Sequence, residues 1–191
     1  MNFYFALFDS AIGSCGLAWG ARGIAGVQLP EGSRQKTRSR LLRRFPAAQD
    51  AIPWGEAKRA VCGMEALLRG EPDDLSDISL DMEHIPPFRR RVYEGARQIP
   101  PGETVTYGAL AARIGAQGAA RAIGQALSRN PFAIIVPCHR VVAAGRRIGG
   151  FSAHGGIAVK HRLLAIEGAR RESAPLLFES PGLAQRPLRR G

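Results

Sequence analysis

The sequence predicts an α/β chain of the α+β kind: an amino-terminal antiparallel-sheet domain with helices over residues 1–85, then a mostly helical domain over 86–171 containing a helix-turn-helix. Three observations predict it. Residues 3–8, 15–19 and 23–29 are short β-type runs separated by Gly13 and by Gly20-Ala21-Arg22-Gly23, the spacing of an antiparallel meander. The charge changes sign at Ile85-Pro86-Pro87, since residues 1–85 hold 10 Lys/Arg against 11 Asp/Glu and residues 86–171 hold 14 against 3. Beyond that break, two short helical patterns flank the turn Gly115-Ala116-Gln117-Gly118. The domain boundary is therefore set at residue 86.

Pro30 ends the meander. Residues 31–45 follow with Arg34, Lys36, Arg38, Arg40, Arg43 and Arg44 and no acid after Glu31, a helix whose inner residues are expected to be Leu41, Leu42 and Phe45. Its charge run reads as a solvated face. A second helix over 56–69 sets Ala57, Val61, Met64, Leu67 and Leu68 at helical spacing and stops at Gly70, with Cys62 expected in the core. Residues 71–83 carry six carboxylates and a β-type piece at Ile78-Ser79-Leu80, read as a turn plus an edge strand rather than a divalent-ion site. A helix over 87–98 turns Phe88, Val92, Tyr93 and Ala96 inward and Arg89, Arg90, Arg91 and Arg97 largely outward. Thr106 is a good N-cap for a helix over 107–114 in which Leu110 and Ile114 share a face. The next helix, 119–129, puts Ala119, Ala122, Ile123, Ala126 and Leu127 on one side and Arg121, Gln125 and Ser128 on the other. Its first turn, Gly118-Ala119-Ala120, is small enough for a close approach to a nucleic-acid groove with Arg121 projecting from it.

Asn130-Pro131 ends that helix, and Ala133-Ile134-Ile135-Val136 reads as a short buried strand running into Pro137-Cys138-His139-Arg140. Proline fixes its own φ and favours an extended Val136, so Cys138 is expected to be held in one direction. His139 and Arg140 are expected to supply positive potential that lowers the thiol pKa. A buried structural cysteine is the alternative, and the polar neighbours weigh against it. Gly145, Gly149, Gly150, Gly155 and Gly156 around Phe151-Ser152-Ala153-His154 mark a loop, either a cover over a pocket that offers N–H groups or a plain surface connection.

The last helix, 157–167, sets Val159, Leu163 and Ile166 inward, and Glu167 shares their face before Gly168. A buried carboxylate needs a partner, and His139 is the economical one. Cys138, His139 and Glu167 thus compose a nucleophile, a base and an orienting acid. Neighbouring side chains on an extended strand point apart, so this requires the chain to turn at 138 or a bridging water. Asn130 is placed to stabilise such a turn through bonds to backbone groups. Residues 172–191, with three prolines, read as a loose tail.

The basic second half points to a polyanionic partner, most simply nucleic acid. Cys15, Cys62 and Cys138 are widely spaced and odd in number, which gives neither a disulfide framework nor a zinc spacing. No metal or other cofactor is expected. No stretch approaches the roughly 20 apolar residues of a membrane span, and the amino terminus lacks a basic segment followed by an apolar one. The expectation is a soluble, cytoplasmic protein with no membrane partner.

Pro137-Cys138-His139-Arg140-Val141-Val142 resembles the PCHRV motif of the O6-alkylguanine-DNA alkyltransferases, the methylated-DNA–protein-cysteine methyltransferases. Residues 99–107, Ala119-Ala120-Arg121-Ala122-Ile123-Gly124, Arg129-Asn130-Pro131 and Leu163-Leu164-Ala165-Ile166-Glu167-Gly168 follow the same family's order and spacing, so the likeness covers about residues 86–170. It implies a ribonuclease H-like layout for the first domain and a winged-helix-like second domain. It also implies a suicide repair protein acting on double-stranded DNA that contains alkylated guanine, and a monomer suits such a single-lesion reaction. By that resemblance Cys138 takes the alkyl group from a flipped-out base, His139 deprotonates it through a water, Glu167 holds the histidine and Asn130 supports the turn. Arg121 fills the space the base leaves, while Ala119, Ala120, Ala122 and Gln125 belong to the face in the minor groove. Tyr107 serves the 3′ phosphate and protonates the departing guanine, and Val141 and Ser152 contact the base through their backbones. Phe151 stands where many relatives carry Tyr and keeps only the stacking, and Ala153-His154 lengthens the loop relative to the shortest family form.

Other classes remain open at this level. Alkyltransferase-like damage sensors bind the same lesions and carry Trp at the cysteine position, which Cys138 contradicts. A helix-turn-helix regulator leaves His139 and Glu167 without a task, and a cysteine hydrolase leaves Arg121 without one. The sequence does not separate O6-alkylguanine from O4-alkylthymine.

Overall fold

The computed structural model describes residues 2–145 and 149–169, so the expected tail lies outside the described residues. Strands β1 (Tyr4–Ser10), β2 (Gly13–Gly20) and β3 (Gly23–Gln28) form the antiparallel meander. A two-residue strand, β4 (Gln49–Asp50), pairs parallel with β1 and gives the order β3-β2-β1-β4. Alternation along the strands sends side chains to two faces. On one face Phe5 and Ala18 meet Leu41 of α1 (Arg34–Arg44); on the other Ala6, Phe8, Cys15 and Leu17 pack with Ala60, Met64 and Leu67 of α2 (Gly55–Leu68). Ser33 caps α1 by accepting the Lys36 N–H at 3.2 Å, a contact worth about 1 kcal/mol. Leu41 is fully buried, while Leu42 and Phe45 are partly covered. Gly23, at φ +104, has no room for a side chain, because an ideal Cβ would overlap the Ser79 carbonyl that accepts the Ile24 N–H at 2.9 Å.

The second half holds α3 (Pro87–Arg97), α4 (Tyr107–Arg113), α5 (Ala120–Ser128) and α6 (Gly156–Ile166), with β5 (Val105–Thr106) and β6 (Val141–Val142) paired in parallel. Helices α3, α4 and α5 enclose Val92, Tyr93, Ala96, Leu110 and Ile123, together with Phe132 and Val136. The Tyr93 hydroxyl is satisfied by donating to the Ala126 carbonyl at 3.1 Å. Thr106 caps α4 as expected, accepting the Ala109 N–H at 3.1 Å. Ile134, Ile135 and Leu163 belong to the same core cluster as Leu17 and Met64, so the second half closes the sheet's core.

Four sequence expectations fail here. Residues 134–136 are buried as expected and Ala133 partly so, but the run forms a tight turn with isolated bridges rather than a strand, and Ile134 has φ +74. An apolar run reports burial and does not distinguish a strand from a buried turn. Cys62 is exposed, and its neighbour Gly63 faces the core, with Leu75 and Arg59 filling the space a Cβ would need. Ile78-Ser79-Leu80 contributes only one isolated bridge, Ile24 to Leu80. Arg97 turns back to donate to the carbonyls of Leu75, Ser76 and Ile78 at 2.8–2.9 Å. The carboxylates of 71–83 are largely taken by arginines: Arg59 pairs with Asp73 and Asp77, Arg22 with Asp81 and Glu83, and Arg69 with Glu71.

Candidate active site

Asn130 builds the turn that aims the thiol. Its Oδ1 accepts the Phe132 N–H at 2.9 Å, its Nδ2 donates to the Val136 carbonyl at 2.8 Å, and the Val136 N–H closes onto the Phe132 carbonyl at 2.8 Å. The left-handed backbone of a β-branched Ile134 costs on the order of 1–3 kcal/mol, and these three bonds together with burial hold it. The Val27 N–H donates to the Pro131 carbonyl at 2.8 Å, which docks the turn on β3.

The chain turns at 138, as the relay requires. Cys138–Arg140 is a single 3-10 turn in which the Arg140 N–H donates to the Pro137 carbonyl at 2.9 Å. Cys138 is left partly accessible, and His139 and Arg140 are driven inside. There His139 Nε2 lies 2.8 Å from Glu167 Oε1. Arg140 grips the same carboxylate with two bonds, Nε to Oε2 at 2.9 Å and Nη2 to Oε1 at 2.8 Å, and donates to the Ile99 carbonyl at 2.6 Å. The Gly102 N–H adds a longer bond of 3.4 Å to Oε2.

Burial alone would raise the Glu167 pKa, but the hydrogen bonds from His139 and Arg140 outweigh it and bring the value down to about 2. Glu167 is therefore ionised at neutral pH, and its partner on His139 is an Nε2–H. The lone pair then sits on Nδ1, which is buried and has no hydrogen-bond partner among the described residues. Burial lowers the His139 pKa more than Glu167 raises it. Burial likewise raises the Cys138 pKa, against the opposing effects of Asn130 and the Lys160 charge. The expected lowering of the thiol pKa by His139 and Arg140 is thus corrected: the Arg140 charge is taken up by Glu167, the imidazole is neutral, and desolvation decides.

Because the folded pKa of Glu167 lies below its unfolded value of 4.5, its stabilisation is present above that pH and is lost as pH falls toward about 2. Thermal melts across this window are expected to show a fall in Tm that is smaller in Glu167→Gln; an identical fall in both proteins would contradict the ionised assignment.

Lys160 was not among the candidates read from the sequence. It is fully buried on α6, its Nζ donates to the Val141 carbonyl at 2.6 Å and sits 5.8 Å from the Tyr107 ring centroid, and burial pushes its pKa down to about 8. The signal was available: Lys160, Leu163 and Glu167 fall at i, i+3 and i+7, one face of a helix.

A cavity of about 390 Å³ opens on the thiol. Cys138, Asn130, Phe151 and Ser152 line it, joined from the first half by Gln28, Glu31, Arg40 and Arg44. The Ser152 hydroxyl donates to the Ser128 carbonyl at 3.0 Å, tying the glycine loop to the end of α5. Val141 is not part of the lining; it is fully buried, with its carbonyl on Lys160. Tyr107 leads α4 next to Gly149 and Gly124 and is not part of the lining. On α5, Arg121 and Gln125 are exposed, Ala120 and Ala122 are half-buried, and Ala119 is the N-cap rather than the first helical residue. Among the described residues no cluster of three or more His, Cys, Asp or Glu is arranged to hold a metal, and no helix is long and apolar enough to cross a membrane.

Residues 87–169 match the family model of the 6-O-methylguanine DNA methyltransferase DNA-binding domain. The methylated-DNA–protein-cysteine methyltransferase of Mycolicibacterium paratuberculosis is 42% identical over 130 residues, which is 66% of this chain and 76% of that protein. The chain belongs to this methyltransferase family. A crystal structure of Mycobacterium tuberculosis OGT in complex with DNA superimposes with a TM-score of 0.70 at 34% identity, covering 88% of this chain and 93% of that one. A DNA base-flipping protein of Thermus thermophilus is 41% identical over 129 residues, 68% of this chain and 82% of that protein. The buried His139–Glu167–Arg140 cluster lies wholly inside the matched segment.

Proposed function

We propose that the protein repairs DNA by direct reversal, transferring an alkyl group from O6 of a flipped-out guanine in double-stranded DNA to Cys138 in a single turnover. The observation that carries this reading is the thiol on the cavity wall with a neutral imidazole, itself held by an ionised carboxylate, one residue away in the turn. Nδ1 of His139 takes the thiol proton through a water, and Glu167 stabilises the imidazolium that results. Sulfur then bonds to the alkyl carbon as the carbon–O6 bond breaks, and Tyr107 delivers a proton to the departing guanine. The products are a thioether and an unmodified base, with nothing to regenerate the thiol. Lys160 lowers the energy of the transient thiolate, and the Ser152 backbone on the cavity wall faces the base. Phe151 supplies stacking over it.

Arg121 and Gln125 on the exposed face of α5 enter the minor groove, the small side chains of Ala119, Ala120 and Ala122 at the helix start allow the close approach, and phosphate contacts give most of the affinity. The sheet order, with a meander and a fourth strand parallel to the first, supports a ribonuclease H-like first domain, followed from residue 86 by a winged-helix-like DNA-binding domain. The protein acts as an intracellular monomer. A damage sensor without transfer is the second reading, raised by the likeness to the Thermus base-flipping protein; the accessible thiol on the cavity wall weighs against it.

The flipping step is tested by comparing alkylated duplex with free alkylated guanine base. Arg121→Ala is expected to slow transfer from duplex by about 10–100-fold, the loss of a few kcal/mol of unstacking support, and to leave transfer from the free base unchanged. Equal losses on both substrates would remove Arg121 from that role.

A further inference from the structure

The cavity on Cys138 extends past the thiol to the first half of the chain, where Arg40 and Arg44 of α1 form part of its wall. The two residues are one helical turn apart on α1, a like-charged i, i+4 pair that is unfavourable in isolation. Neither has a carboxylate partner among the described residues; Arg44 donates only to the carbonyls of Val27 and Pro131, at 3.4 and 3.3 Å. Arg129 adds a third cation to the lining, and Glu31 is the one acid there, already accepting from Gln28 at 2.9 Å. A basic helix that faced only solvent would not place two of its arginines on the wall of the nucleophile's own cavity.

Sulfur must reach the alkyl carbon opposite O6, so everything beyond that carbon leaves the S–C–O axis sideways and has to lie in this cavity. The flipped base and a methyl group together leave part of the space unused, since about 390 Å³ falls in the range that holds drug-sized ligands. Small residues at Ala133, Ser152 and Ala153 keep the way open.

Resting on the alkyl-transfer reading above, we propose that Arg40 and Arg44 form a subsite for O6 substituents that end in an anionic group, so that the protein prefers carboxylate-bearing adducts to neutral ones of the same size. The chemistry is unchanged: the sulfur–carbon bond forms at the methylene, the carbon–O6 bond breaks, the thiol proton passes to His139 and guanine leaves protonated. The carboxylate keeps its charge throughout and is carried over on the resulting S-carboxymethyl cysteine.

The test is single-turnover transfer from one duplex sequence carrying O6-methylguanine, O6-carboxymethylguanine or the neutral isostere O6-carbamoylmethylguanine. The native protein is expected to react about tenfold faster with the carboxymethyl than with the carbamoylmethyl adduct, the scale of one charge-assisted hydrogen bond. Arg40→Gln is expected to erase that preference with little change on O6-methylguanine, and Arg40→Lys to retain part of it. Equal rates on the two larger adducts in the native protein would overturn the subsite. So would an Arg40→Gln loss shared by all three substrates, which is the signature of a DNA-backbone contact. No transfer from any of the three would instead overturn the alkyl-transfer reading itself.

Discussion

Replacing Cys138 by alanine is expected to abolish alkyl transfer while preserving the protein's affinity for an alkylated duplex. In the proposed transfer the sulfur is the acceptor, and the other two thiols offer no substitute. Cys15 is completely buried, its pKa raised by burial to about 11, and Cys62 lies exposed on α2 away from the cavity lining. The fold should tolerate the change, because the turn is held by Asn130 and by backbone bonds at Val136 and Arg140 rather than by the thiol. Removing one partly accessible sulfur therefore costs less than about 1.5 kcal/mol. Fluorescence anisotropy with an O6-methylguanine duplex, run beside a transfer assay, separates the two effects. A variant that no longer binds, or one that still transfers, would place the acceptor or the binding determinant elsewhere.

Glu167→Gln should have the largest effect on stability. Four donors converge on this carboxylate, and the Arg140 guanidinium it neutralises is 2% exposed. Exchanging the acid for an amide leaves that cation buried without a counter-charge, and breaking one partner of a buried pair costs about 3–5 kcal/mol. For a chain of this size that is a fall in Tm of roughly 6–20 °C. The same change removes the acceptor that fixes the Nε2–H tautomer, so transfer by the folded fraction is expected to fall about 100-fold or more. Calorimetry and transfer rates measured well below the lowered Tm distinguish the two losses. A variant with an unchanged melt would mean that Arg140 finds another partner, and an unchanged rate would mean that His139 is oriented without the acid.

The parts legible in the sequence were those whose pattern has a single structural solution. The meander followed from β-type runs at glycine spacing, α4 from its Thr106 cap, and the Glu167–His139 pairing from one acid on an apolar helix face. Asn130 was legible for the same reason, since a side chain that bonds backbone groups at a helix exit has few alternatives. What escaped was decided by tertiary direction. Ala133-Ile134-Ile135-Val136 is equally apolar as a strand or as a buried turn, and only the clamp by Asn130 and the contact with β3 select the turn. The positive charge of Arg140 is plain in the sequence, but its orientation toward Glu167 and away from the thiol is not. Lys160 escaped because a lysine on an amphipathic helix is ordinarily solvated, and its burial depends on the Val141 carbonyl brought to it by the pairing of β5 with β6. The arginines of α1 read as a solvated face for the same reason, and their place on the cavity wall appears only once α1 is packed on the sheet beside β3.

The most direct test is to incubate the native protein with a duplex containing O6-methylguanine, digest it and map the modified peptide by mass spectrometry. The expected result is one methyl group on the peptide that contains Cys138, appearing as O6-methylguanine is converted to guanine in the DNA. A methyl group on another peptide, or a protein that binds the lesion and leaves both the base and Cys138 unchanged, would contradict it.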